Sequence, residues 1–106
     1  MNETVYTHFA DLLTALPAIS ADTIISRTLL NTPHLKAVLF GFAPGQALSE
    51  HTSARPAILH FLDGAAAVTL GADTFEVAPG AWFHLPPQMP HSIVAQTPVT
   101  MLLLLL

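Results

Sequence analysis

The chain has no cysteine. This excludes disulfides, zinc–thiolate sites and thiol nucleophiles together, and it fits a cytoplasmic setting. Charge is nearly as scarce, with three basic and seven acidic residues among 106 and a formal net charge of −4. The basic residues Arg27, Lys36 and Arg55 stand far apart, whereas a nucleic-acid partner needs clustered Lys and Arg. No nucleic acid is therefore expected, and substrates carrying several phosphates or carboxylates are poorly matched. Membrane-length apolar runs are also missing. The closing stretch from Val99 to Leu106 is interrupted by Thr100 and falls far below the roughly 20 residues that span a bilayer. Glu3 and Asp11 stand where a secretory leader would carry a basic start and an apolar run, so neither leader nor membrane is expected.

What remains is a single domain rich in apolar side chains, with 52% of residues hydrophobic and 9% charged. Soluble domains usually carry about a quarter charged residues. So few ionic groups cover a surface badly, and soluble monomers rarely expose large apolar patches. The expectation is a homodimer.

Thr7–Leu16, THFADLLTAL, spaces Phe9, Leu12, Leu13 and Leu16 three and four residues apart before Pro17, which predicts a short helix. That helix belongs to an N-terminal arm over residues 1–22, ahead of a barrel over 23–106. Two strands are expected at Thr23–Leu30 and Leu35–Phe42, parted by Asn31-Thr32-Pro33. Beyond Ser53 the runs AILHFL, AAVTL, TFEVA, AWFHL and HSIVAQ alternate with Asp63-Gly64, Gly71-Ala72-Asp73, Pro79-Gly80 and Pro86-Pro87-Gln88. Turn signals at this spacing, about 8–12 residues apart, predict an antiparallel sandwich or barrel. No helix-length pattern lies between strands, which excludes a parallel α/β sheet. The unbroken apolar ending reads as a strand buried on both faces. The fold class is all-β.

Gly45–Gly64, GQALSEHTSARPAILHFLDG, resembles the first motif of the cupin superfamily, in which a Gly is followed after five residues by His-x-His, then a Glu and a closing Gly. Gly45 and Gly64 match. His51 is displaced by one residue but stands where related small cupins place their first metal histidine. Ser53 takes the second histidine's place, and Ala57 takes the Glu position. Gly71–His91 resembles the second motif, carried by PGAWFHLPPQMPHSI. There Pro79-Gly80 and Pro90-His91 match, Gln88 replaces the usual Gly, and Ala95 replaces a late Asn. LSEHTS, LHFLDG and the ending VTMLLLLL look like small bacterial single-domain cupins, mostly of unassigned function. The resemblance implies an antiparallel jelly-roll β-barrel with a metal site inside it.

The metal ligands it implies are His51 and His91, with His84 as a candidate third if that residue shares an inward face with Trp82. Strand alternation puts Ser49, His51 and Ser53 on one face and Glu50 on the other. Ser53, Trp82 and Gln88 are candidates to line a ligand pocket, and Phe61, Phe83 and Met89 to line or close the barrel. His60, out of phase with Leu59 and Phe61, belongs to the outer face or a dimer interface, and His8 and His34 to solvent. Two readings follow. One is an enzyme holding one divalent transition metal (Fe, Mn, Ni or Zn) for a small organic substrate, acting as a Lewis acid or binding oxygen. The other is a barrel with no metal that binds a small neutral, aromatic or singly charged molecule, or is a structural dimer module.

Overall fold

Short apolar runs between Pro, Gly and Asn turns are too brief for stable helices, and the computed structural model, which describes residues 5–106, shows them as strands. In chain order these are β1 (Ile24–Asn31), β2 (Lys36–Phe42), β3 (Ala47–His51), β4 (Ala57–Asp63), β5 (Ala66–Leu70), β6 (Asp73–Val77), β7 (Trp82–Leu85), β8 (His91–Ala95) and β9 (Val99–Leu105). They form a five-stranded sheet ordered β1-β2-β9-β4-β7 and a four-stranded sheet ordered β3-β8-β5-β6. Every pairing is antiparallel. The all-β jelly roll implied by the resemblance is the observed architecture.

The inner faces follow the period-two pattern. Along β4, Ala57, Leu59 and Phe61 are buried while Ile58, His60 and Leu62 are half-buried. Along β8, His91, Ile93 and Ala95 are buried. These residues meet Phe42, Val68, Val77, Leu85, Val99 and Met101 in one apolar cluster between the sheets. Phe61 is joined edge to face to Phe83, with the rings 6.2 Å apart at 83°. The apolar ending is β9, paired with β2 on one edge and β4 on the other. Its burial is uneven. Val99 and Met101 are fully enclosed, whereas Leu102 to Leu105 are only partly covered.

The predicted helix over Thr7–Leu16 is not formed. A single 3-10 turn at Leu12–Thr14 is all that remains of it, with Asp11 Oδ1 accepting from the Leu13 N–H at 2.9 Å. Ten residues containing Thr7 and Thr14, with Pro17 behind them, cannot offset helix nucleation unaided. Leu13 is left half exposed, and the arm meets the sheet through Phe9 and, beyond Pro17, Ile19. Ile19 lies over Gly41, where any Cβ would come within 2.9 Å of Ile19 Cδ1. Arg27 Nη1 donates to the Ala15 carbonyl at 2.9 Å, and its guanidinium sits 5.2 Å from the centre of the Phe9 ring. Among the described residues no helix is long and apolar enough to cross a membrane.

Gly64, the closing glycine of the first motif, turns β4 into β5 with φ +86°. A Cβ there would collide with the Pro98 carbonyl and lie 2.9 Å from Val99 Cα. Gly45 has a similar φ of +81° but open space around it. Gly45→Ala is expected to cost about 1–2 kcal/mol, the left-handed backbone penalty alone. Gly64→Ala is expected to cost at least about 3 kcal/mol, because main chain that cannot move aside is added to the same penalty. Urea unfolding midpoints of the two variants measure the difference.

Candidate functional site

His51 and His91 are partners across the β3–β8 ladder, with ring centroids 4.1 Å apart and planes inclined at 57°. His91 continues the inward phase of Ile93 and Ala95 and is only 6% exposed. His51 reaches that phase through an irregularity. Leu48 pairs with Ile93 and His51 with His91, so three steps on β3 match two on β8, and Ser49 and Glu50 together oppose Ser92. This is a β-bulge, which inserts one residue and resets the alternation. Strict alternation from Leu48, the half-buried neighbour of Ile93, would have turned Glu50 toward His91 and His51 away. With the bulge, Ser49 and Glu50 are both exposed. His51 is itself exposed, so it is the register, with Ser49 and Glu50 together opposite Ser92, that takes Ser49 off the face of His51 expected from period two and leaves Glu50 no carboxylate inside.

Both rings are held in the same way. His51 Nδ1 lies 2.7 Å from the Ser49 carbonyl oxygen, and His91 Nδ1 lies 2.8 Å from that of Met89. A carbonyl only accepts, so each Nδ1 carries the proton and donates. In the neutral ring this selects the Nδ1–H tautomer, with the lone pair on Nε2. A histidine anchored through one nitrogen to a main-chain carbonyl presents the other in the manner of a metal ligand.

The loops beside the pair are clamped through main chain. The Gln88 N–H donates to the Ser53 carbonyl at 2.7 Å, joining the segment after His51 to the segment before His91. The Gly71 N–H donates to the Pro90 carbonyl at 2.9 Å, pinning the start of β8. Ser53 Oγ accepts from the Arg55 N–H at 3.1 Å and so shapes its own turn. Gln88 has φ +66°, which accounts for the glycine that cupin motifs carry at this position. Ala57, in place of the motif's Glu, faces inward and is buried in the core.

The structure separates His84 and Trp82 from this pair. β7 pairs with β4 so that Phe83 faces Leu59 and Leu85 faces Ala57, all on the inner side. Trp82 and His84 take the opposite phase and are exposed, Trp82 by 57%. His84 therefore points away from His51 and His91 rather than joining them as a third ligand, and Trp82 faces outward rather than lining or closing the barrel. WFHL is apolar in either phase at one of its aromatic positions, so alternation alone could not choose the inner face. His60 is on the outer face beside Trp82, as its phase predicted, and His8 and His34 are exposed. Among the described residues no group of three or more His, Cys, Asp or Glu converges, and no cavity opens. The bulge and the Ser49 and Met89 carbonyls left no signal in the sequence, because main-chain acceptors carry no residue type.

Residues 38–106 match the cupin domain, and the chain belongs to that family. It is similar to a conserved protein of unknown function from Streptococcus pyogenes, with 30% identity and a TM-score of 0.85, over 99% of this chain and 91% of that one. A cupin superfamily protein from Desulfitobacterium hafniense superposes with a TM-score of 0.85 at 21% identity, over 98% of this chain and 95% of that one. Salicylate 1,2-dioxygenase from Pseudoaminobacter salicylatoxidans shares the fold at a TM-score of 0.74 and 20% identity, over 84% of this chain and 26% of that one. No match was found among curated proteins.

Two outcomes test this geometry. Nitrogen-15 correlation spectra at mildly alkaline pH are expected to show Nδ1-protonated imidazoles for both His51 and His91, and an Nε2-protonated ring at either position contradicts the assigned bonds. Gln88→Gly removes a left-handed penalty of about 1–2 kcal/mol at the cost of about 0.5–1 kcal/mol of added chain entropy. Thermal unfolding is therefore expected to shift upward by a few degrees, roughly 4–8 °C per kcal/mol gained.

Proposed function

We propose that the chain is a small-molecule-binding cupin in which His51 and His91 hold one divalent transition metal, with the other coordination positions left to water and ligand. The observation that carries this reading is the matched pair of Nδ1-to-carbonyl bonds, which leaves two Nε2 lone pairs on adjacent rings. Two neutral imidazoles supply half of a four-coordinate shell. Nitrogen donors without thiolate suit Fe, Mn, Ni or Zn. An ion bound there would serve as a Lewis acid toward an oxygen of the ligand. The chain itself orients both Nε2 atoms, keeps His91 from water and shields the inner wall with Ile93, Leu59 and Ala57.

The ligand class follows from the positions of the cations. Arg27 is tied to the Ala15 carbonyl, and Arg55 Nε and Nη2 donate to the carbonyls of Leu106 and Leu105. With both guanidinium groups engaged, a neutral, aromatic or singly charged molecule is the better match, and a cysteine-free chain suits the reducing cytoplasm. A second reading rests on Ala57, whose methyl group stands where the motif's carboxylate would complete a metal site. In that reading the barrel binds without metal, and the two Nε2 atoms accept hydrogen bonds from the ligand.

Elemental analysis of protein purified without a metal-affinity tag separates the two. The metal reading expects roughly one ion per chain, lost in His51→Ala and in His91→Ala but retained in His84→Ala. Wild type holding less than about a tenth of an ion per chain, with no uptake of added Ni²⁺ or Zn²⁺ by calorimetry, sinks it and leaves the metal-free barrel.

A further inference from the structure

The inner face of the four-stranded sheet carries two rows of side chains beside the histidine pair. The rim row runs His51, His91, Leu70 and Asp73, and the row below it runs Leu48, Ile93, Val68 and Phe75. Ile93 and Val68 are enclosed, yet Phe75, in the same inward phase, is 42% exposed. The strand order gives the reason. β6 ends one sheet and β7 ends the other, and among the described residues no ladder joins them. Side chains close the seam between these two edges, with the ring of Phe75 lying edge to face on that of Phe83 at 5.5 Å and 62°. Phe83 is itself half-buried, and behind it stands the enclosed ring of Phe61.

No cavity opens among the described residues, so a molecule that enters beside the histidines from this side has to displace something. Most of the surroundings cannot yield. Ile93, Val68 and Phe61 belong to the core cluster, and interiors are packed too densely to give way piecemeal. Phe75 is free to do so, because it stands on an edge strand and rotation about its Cα–Cβ bond carries the ring into water. What it leaves is a place the size of one phenyl ring against Phe83. That place is two strands and two residues from His91, roughly 12 Å between Cα atoms, a gap that one imidazole and one substituted ring span together. The polar groups along the rim are acceptors, the Nε2 lone pairs at one end and the exposed carboxylate of Asp73 at the other. Neither row holds a Lys or Arg to meet an anion.

We propose that Phe75 occupies the ligand's own place, and that the ligand is an uncharged aromatic molecule bearing a hydrogen-bond donor, whose ring takes over the contact with Phe83 once Phe75 swings out. This names the ligand class of the small-molecule site proposed above and rests on that reading, though not on the metal. Phe75 then sets specificity by competing with the ligand rather than by holding it. Only molecules that replace its ring against Phe83 recover the contact that opening breaks, and the closed population lowers the affinity of every other.

Calorimetry of metal-free protein with phenol, cyclohexanol and benzoate tests this. Phenol should bind about 2- to 12-fold more tightly than cyclohexanol, the worth of one edge-to-face contact, and more tightly than the anionic benzoate. Phe75→Ala should tighten phenol binding by about the same factor, because the competing ring is gone, and Phe83→Leu should erase the preference over cyclohexanol. In the wild type, saturating phenol should abolish the nuclear Overhauser contacts between the rings of Phe75 and Phe83 and replace them with contacts from phenol to Phe83. Phenol binding that Phe75→Ala weakens or leaves unchanged overturns the proposal, and so does phenol that binds neither the wild type nor Phe75→Ala. Phenol that shifts the His51 and His91 resonances while the Phe75–Phe83 contacts persist sinks the role of Phe75 and leaves the small-molecule site standing. The Overhauser measurement uses the wild type alone, so it decides the matter even if Phe75→Ala fails to fold.

Discussion

From Val99 to Leu105 the main chain is bonded on both edges at once, to β2 on one side and to β4 on the other. With its N–H and C=O groups satisfied by neighbouring strands, β9 can be apolar at nearly every position without leaving a buried polar group unpaired. Its inner side chains, Val99 and Met101, then lock β2 and β4 to a common core, although those two strands are far apart in sequence. The close approach of Gly64 to Pro98 sets the point at which this strand begins. β3 runs on into β4, and β7, paired with β4, runs on into β8, so both strands that carry the histidine pair are connected to this ladder.

The same ladder carries two faces with different consequences. Inside, it completes a dry cluster. Outside, Leu102 and Leu104 join Ile58, His60 and Trp82 in a surface with no formal charge. The arm protects only the β1–β2 half of that surface, using Ile19 and the contacts of Arg27 with Phe9 and Ala15. Inner packing and an uncharged outer face thus share one apolar strand, separated by the period of two.

Much of the fold was legible in the sequence because turn residues are chemical signals. Asp63-Gly64, Gly71-Ala72 and Pro79-Gly80 each mark a reversal that the structure makes, and the runs between them are its strands. The helix over Thr7–Leu16 was misread because its three- and four-residue spacing is also compatible with an arm laid against a sheet. At the site, residue identity pointed to His51 and His91, but their orientation depends on a bulge at Ser49 and Glu50 that no residue type announces. The inner face of β7 was hidden because Trp82 and Phe83 are equally able to fill a core. Only the register against Leu59 and Ala57 decides between them.

The clamp between Gln88 and Ser53 runs from an amide to a carbonyl and involves neither side chain. Replacements at position 53 that still accept from the Arg55 N–H, and at position 88 that tolerate a left-handed backbone, can alter the side chains of the two clamped segments while the clamp stays in place. A lineage, or a protein engineer, could draw different ligand preferences from one scaffold by changing those two positions and keeping the imidazoles where they are.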